Sequence, residues 1–359
     1  MMKQTMRAQV VVAPNKMELR EIPVPQITGD EVLVKIKYCG ICGSDYSIYT
    51  GKYVPERLPL VIGHEMFGVI EALGANARGL SVGDRVAIDI TLPCGTCYFC
   101  RKGDGLLCES FEQIGIHTKD MPGGFAEYVK APWGNIYKVP DEVDDLKAAF
   151  IEPLTTTIQA SKKMDAEIAG SIAILGTGLG VIHGVMAKLR GLCPIIVIGR
   201  NEKRLALAKD MCADYLINYE ETPDVVSEVF RLTNGVGADY VVEAVGTPAT
   251  YEQAFRMLRR GGKLESFGIC SEGDMMQLDP FQFVLNEKKV SGSCAGIGND
   301  WGDAIKLLRY GRVDPTPMIS MVVPLEETEQ AIHELHDPAT AGSLVKVLVS
   351  PEATERTVF

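Results

Sequence analysis

Two groups of residues in this sequence have the types and spacing to hold a metal. The first is dense. The stretch "TLPCGTCYFCRKGDGLLCES", Thr91 to Ser110, holds four of the chain's ten cysteines, Cys94, Cys97, Cys100 and Cys108, in the pattern C-x2-C-x2-C-x7-C. Four thiolates around tight turns suit a tetrahedral zinc, and a zinc with four protein ligands has no open position, so this site should be structural. Glycines at 95, 103 and 105 let the backbone fold closely around an ion. Disulfides, buried free cysteines, an iron–sulfur cluster and a nucleic-acid-binding zinc ribbon are the competing readings.

The second group is scattered. "CGICGSD" places Cys42 beside Ser44 and Asp45, "VIGHEMFGVI" places His64 and Glu65 between apolar runs, and "FIEPLTTTIQA" puts Glu152 before Pro153. A cysteine, a histidine and a carboxylate can hold a zinc with one position left for water or substrate, which is what a catalytic zinc needs. Each residue alone also has a structural reading. Cys42 and His64 suit a core, Glu65 a strand surface and Glu152 the first turn of a helix, where the dipole favours a carboxylate. Spacing does not establish that they converge.

The elements that must position these residues fall into two textures. Up to about residue 155, "DEVLVKIKYCGI", "GVIEALG" and "VGDRVAI" read as short strands punctuated by Gly and Pro. From about Ser161, "SIAILGTGLGVIHGVMAKLRG" and "PIIVIGRNEKRLALAKDMCA" read as strand, turn and helix. "ADYVVEAVG" and "GGKLESFGIC" add buried strands, which together predict a doubly wound parallel sheet. After about Ser293 come a helix ("WGDAIKLLRYG"), a strand ("MISMVVPL"), a helix ("ETEQAIHELH") and a closing strand ("GSLVKVLVS").

Bulk properties bound the function. A chain of 359 residues, 46% hydrophobic and 23% charged, is long enough for two domains. A formal net charge of -11 argues against nucleic acid or an anionic membrane as partner. No apolar run is long enough to span a bilayer, and the basic N-terminus reads as a first strand rather than a signal peptide. A cytoplasmic protein is expected, in which clustered thiols bind metal or catalyse rather than pair.

"SIAILGTGLGVIHG" offers a dinucleotide turn. Gly176 and Gly178 match the first two glycines of G-x-G-x-x-G, allowing the tight turn and the approach of a pyrophosphate to a helix N-terminus. Val181 stands at the third position, with Gly180 one residue earlier and Gly184 three later, so the local helix–strand packing must differ. At the end of the second strand, "IIVIGRNEKR" has Gly199 where an NAD site carries Asp or Glu, followed by Arg200 and Arg204. Loss of the carboxylate removes repulsion of a 2′-phosphate, and a guanidinium can grip that phosphate. NADP(H) is therefore expected over NAD(H), the alternative being that Arg200 and Arg204 are solvated helix-start residues.

Taken together, "GICGSD", "GHE", the four-cysteine loop, "GGFAEY" at Gly123 to Tyr128, "EP" at Glu152 and "GTGLG" resemble, in order, the zinc-dependent medium-chain dehydrogenase/reductase family of the alcohol dehydrogenase superfamily. The nearest branches are the polyol (sorbitol) and threonine dehydrogenases. The resemblance implies a β-rich, GroES-like catalytic domain (1–156), a Rossmann domain (157–294) and a C-terminal segment (295–359) returning to the first. It also implies two zincs per chain and a homodimer or homotetramer. Cys42, His64 and Glu152 look like catalytic zinc ligands, with Glu65 the adjacent carboxylate that can ligate or exchange with water and Ser44 a proton-relaying hydroxyl. Alcohol dehydrogenases use two cysteines and a histidine; Glu152 stands where they have the second cysteine, as in the sorbitol branch. Ala295 aligns where sorbitol dehydrogenases have an arginine. The resemblance implies hydride transfer between a nicotinamide and a secondary alcohol or ketone of a polyol, sugar derivative or hydroxy-amino acid. Its alternatives are an NAD-dependent threonine- or alcohol-type enzyme, a zinc-independent quinone reductase and a non-enzymatic cofactor-binding zinc protein. Tyr49, Tyr53 and His117 receive no role.

Overall fold

The computed structural model describes residues 3–337, 340 and 342–359, so the first two residues of the expected N-terminal strand lie outside it. The chain divides into two compact units, Met1–Pro153 with Ile297–Phe359, and Leu154–Gly296.

The first unit is built from short, mostly antiparallel strands. Among the described residues its larger sheet runs in the order Ile136–Lys138, Arg85–Ile88, Glu65–Leu73, Glu31–Gly40, Lys346–Ser350, Ile319–Pro324, Thr357–Val358, with Tyr128–Pro132 also paired to Glu31–Gly40. Alternation in "EVLVKIKYCG" buries Val32, Val34 and Ile36 in one core with Ile70, Val86, Ile88 and Val129. The closing strand Lys346–Ser350 pairs antiparallel with Glu31–Gly40, Leu348 opposite Gly40 and Val349 opposite Cys39. Two sequence-distant segments thereby lie beside the strand that leads to Cys42. A smaller sheet pairs Thr5–Ala13 with Lys16–Pro23 and Leu60–Val61.

The second unit carries a six-stranded parallel sheet, in the order Tyr215–Asn218, Ile195–Gly199, Ile172–Leu175, Ala238–Glu243, Leu258–Ser266, Lys289–Gly292. Numbered along the unit, that is 3-2-1-4-5-6, the doubly wound order whose strand ends form a dinucleotide crevice where the order reverses. The central strands Ile172–Leu175 and Ile195–Gly199 are buried on both faces, which explains why they read as continuous apolar runs rather than alternating ones.

The third-glycine question is resolved by a substitution of position. Val181 is fully buried, and the close approach falls to Gly180, where an added Cβ would lie 3.2 Å from Ile174 Cγ2. Gly184, one turn on, leaves room for Cys212, whose Sγ would be 2.4 Å from a Cβ there.

Candidate active site

Strand Glu31–Gly40 delivers the chain to Cys42, the N-cap of the short helix Gly43–Tyr49. Asp45 closes that cap: its Oδ2 accepts the Cys42 backbone N–H at 2.8 Å. The other oxygen, Oδ1, lies 3.4 Å from His64 Nδ1, and Asp45 is fully buried. Among the described residues, neither of these two atoms has a hydrogen-bond partner, so each is left to the other's charge. A carboxylate behind one ring nitrogen orients a histidine so that the other nitrogen faces forward. That nitrogen, Nε2, is 3.4 Å from Ser44 Oγ. Burial opposes charge on His64, but Asp45 and Cys42 outweigh it and hold the imidazole's pKa well above its ordinary value.

The His64 loop is braced from behind by the "GGFAEY" segment. Gly123 N–H donates to Val61 O, Gly124 N–H to Gly63 O and Phe125 N–H to Ile62 O. An added Cβ at Gly123 would meet Ile62 O at 2.5 Å, and one at Gly124 would meet Cys39 Sγ at 2.6 Å. The glycines of this motif serve backbone approach, and Phe125 is fully buried.

Ligand atoms of Cys42, His64 and Glu65 lie within 4.8 Å of one another. Sulfur, imidazole nitrogen and carboxylate oxygen at that separation fit a zinc ion. Glu65, however, is committed elsewhere: both its oxygens are 2.7 Å from Lys346 Nζ, which also donates to Ile41 O at 3.0 Å. Glu152, in the first turn of Ile151–Met164, is buried, and burial raises its carboxyl pKa to about 7, with nearby His64 opposing and Glu65 adding to the rise. Glu152 is not part of the Cys42–His64–Glu65 cluster, but with His64 near it, a carboxyl held that high by burial is one whose ionised form a cation would favour.

The four cysteines of the loop also come together, within 4.8 Å, and every cysteine of the chain is free of disulfides. Backbone N–H groups of Thr96 and Cys97 point at Cys94 Sγ, and those of Cys94 and Ser110 at Cys108 Sγ. Led by the Thr96 N–H, these contacts pull the Cys94 thiol down to about 6. The set fits a tetrahedral zinc.

Gly176 adopts φ +112°, as the dinucleotide turn requires, and a Cβ there would meet Ala244 O at 2.8 Å. Nothing lies within 4 Å of where a Gly178 Cβ would stand. Gly199 is more informative: its Cβ would lie 2.6 Å from Thr177 Cγ2. Arg200 is exposed, and Arg204 is half-buried with its pKa lowered by burial and by the charge of Arg200.

Tyr49 is buried and hydrogen-bonded to Glu329 at 2.8 Å, with His333 Nε2 at 3.0 Å, so it pins the Gly43–Tyr49 helix to Thr328–His336. Tyr53 OH and His117 Nε2 are 2.9 Å apart. Sequence reasoning overlooked Lys346, Gly40 and Thr177, and named Asp45 without giving it a role. Lys346 had a signal, a single charge opening the buried strand "KVLVS".

Comparison with known proteins decides the family. Residues 28–141 match the alcohol dehydrogenase GroES-like domain, and residues 178–309 match the zinc-binding dehydrogenase domain. The chain is 34% identical over 353 residues to a sorbitol dehydrogenase of Bacillus subtilis (strain 168), covering 97% of this chain and 98% of that protein. It belongs to the zinc-dependent medium-chain dehydrogenase/reductase family. An L-threonine 3-dehydrogenase of Bacillus velezensis is 32% identical, with 93% of this chain and 95% of that one covered. A zinc-binding dehydrogenase of Sinorhizobium meliloti 1021, solved bound to NADP, superposes with a TM-score of 0.91 at 30% identity, over 97% of this chain and all of that one. The medium-chain dehydrogenase described here is thus an oxidoreductase of the alcohol dehydrogenase type. Among the described residues, no helix is long and apolar enough to cross a membrane.

A Cβ at Gly40 would fall 1.9 Å from Glu65 Oε2. Gly40→Ala is expected to cost about 1–3 kcal/mol, the range for overpacking a filled core, read as a lowered midpoint in urea unfolding. An unchanged midpoint would show that Glu65 swings aside freely.

Proposed function

We propose that this enzyme moves hydride between NADP(H), in preference to NAD(H), and a secondary alcohol or ketone of a polyol, sugar derivative or hydroxy-amino acid. The observation that carries the reading is the convergence of Cys42, His64 and Glu65, with Asp45 aligned behind the histidine and Glu152 buried near His64. Cys42, His64 and Glu152 would hold a zinc, which when bound would supply Lewis-acid polarisation, and the dinucleotide turn would hold a nicotinamide cofactor, which would supply hydride chemistry. The protein's own part is orientation and proton handling. Asp45 fixes the His64 ring. Ser44, beside His64 Nε2, is placed to pass the substrate's hydroxyl proton outward. Glu152 lines the site as ligand or water holder, with Glu65 in reserve. Cys94, Cys97, Cys100 and Cys108 would hold a second, structural zinc.

Relatives named for sorbitol and threonine support a small polar hydroxyl compound as substrate. Ala295, buried where the sorbitol branch has an arginine, argues for a different member of that class. The NADP preference is supported by Gly199, Arg200 and Arg204, and by a relative solved with NADP. Gly176, Gly178, Gly180 and Val181 would form the pyrophosphate turn.

The test is a rate screen of polyols, amino alcohols and matching ketones with both cofactors, alongside metal analysis. Two zincs per chain and turnover on a polar secondary alcohol are expected. One zinc per chain, or turnover confined to long-chain primary alcohols, would refute the reading.

A further inference from the structure

The parallel sheet of the second unit has two ends, and the dinucleotide turn uses one of them. Gly176 follows the carboxyl end of Ile172–Leu175, and Gly199 closes Ile195–Gly199. A cleft of about 780 Å³ opens at the other end, where the strand Leu258–Ser266 begins. Its remaining walls come from the helix Pro248–Met257, the helix Pro280–Leu285 and the turn that follows the helix Val225–Leu232. That volume lies within the range of small-molecule sites, and the dinucleotide reading makes no use of it.

The lining is apolar in part, with Phe230, Phe255, Leu258 and Leu278, and the charges around it are unequal. Arg256, Arg259, Arg260 and Lys288 stand against two carboxylates, Glu252 and Asp279, in a chain whose net charge is -11. Both carboxylates are engaged: Glu252 accepts the Gln277 N–H at 2.8 Å, and Asp279 accepts the Phe281 N–H at 3.0 Å. Arg259 pairs with Asp239 at 2.5 Å. Among the described residues, Arg256, Arg260 and Lys288 form no ion pair. Arg256 and Arg260 are exposed, and water alone can satisfy them. Lys288 is half-buried, and burial lowers its pKa. Its Nζ donates to Phe255 O at 3.2 Å and stands 5.1 Å from the centre of the Phe255 ring. An ammonium has three donors, so an anionic acceptor entering the cleft would restore the solvation that burial removes.

We propose that this cleft is a second ligand site, for a small organic anion with a phosphate or carboxylate head on an apolar, planar body. Lys288 meets the head from the cleft wall, and Arg256 and Arg260 close on it from the rim. A guanidinium meets either head group in a fork of paired hydrogen bonds. Phe230, Phe255 and Leu278 take the body. The site is independent of the zinc and dinucleotide assignments.

The experiment titrates 1-naphthyl phosphate by calorimetry into holoenzyme saturated with dinucleotide, so that the crevice at the other end of the sheet is filled. The comparison probes are 1-naphthoate, inorganic phosphate and 1-naphthol. One saturable site per chain is expected for the organic anions, and the tighter of the two identifies the head. Inorganic phosphate lacks the body and 1-naphthol lacks the charge, so each should bind about tenfold more weakly. K288Q and R256Q/R260Q should each weaken the organic anion about tenfold, the scale of one charge-assisted hydrogen bond, and leave dinucleotide affinity unchanged. Because Arg256 and Arg260 are exposed, their replacement keeps the test open even if K288Q does not fold. No saturable binding of either organic anion overturns the proposal. So does unchanged binding in R256Q/R260Q, or binding of 1-naphthol as tight as that of the anions, which would mark an apolar cleft that ignores its cations. A changed subunit number in R256Q/R260Q also overturns it, by assigning the arginines to a contact between copies.

Discussion

Glu152→Ala is expected to leave the fold intact and lower kcat by about 100-fold or more, the scale on which a positioned acid–base or ligand group contributes. Glu152 is a buried carboxyl whose pKa burial lifts to about 7, so in the absence of a cation it is a burden on the fold rather than a support. Removing it relieves that desolvation and gives up the side chain's packing and polar contacts, which offset one another in part. The loss should fall on turnover, and on retention of one zinc of two if Glu152 ligates directly. Zinc content at wild-type level with a fallen kcat would mark it as a water-holding group. Full activity with unchanged zinc content would remove Glu152 from the site.

How far the sequence revealed this site depends on which contacts follow from local spacing. The cysteine loop is local: four thiols within fifteen residues meet because the turns between them are short. The parallel sheet was legible because strands buried on both faces leave uninterrupted apolar runs. Cys42 and His64 each look like ordinary core residues, and only the resemblance joins them, because their meeting is made by strand pairing and by the glycines at 63, 123 and 124. Lys346 lies 281 residues from Glu65. No spacing rule reaches across such a gap, and periodicity could not show that the closing strand Lys346–Ser350 would lie against Glu31–Gly40. "GGFAEY" helps to carry the family resemblance, and in the fold its glycines hold backbone to backbone under His64, so the motif speaks to the scaffold.

Thr177 changes what a cofactor switch must contain. The wild type should use NADP(H) with a kcat/KM at least tenfold above that for NAD(H), and a tenfold preference for NAD would overturn the assignment. Restoring an acidic residue at Gly199 is the direct way to reverse it, since a carboxylate repels the 2′-phosphate and accepts from the ribose hydroxyls. Yet a Cβ at Gly199 would lie 2.6 Å from Thr177 Cγ2 and 3.3 Å from Leu205 Cδ2. Gly199→Asp alone is therefore expected to lose NADP activity without gaining NAD activity, because the strand end or the dinucleotide turn must shift to admit it. Thr177→Ser removes the offending methyl and keeps the hydroxyl. The double substitution Gly199→Asp with Thr177→Ser should move the NADP/NAD ratio of kcat/KM by about 100-fold, equivalent to about 2.7 kcal/mol and within the scale of one or two charge-assisted hydrogen bonds exchanged. If the single substitution performs as well as the double, Thr177 does not restrict this position. If neither moves the ratio, the phosphate is read by Arg200 and Arg204 alone, and their replacement becomes the decisive change.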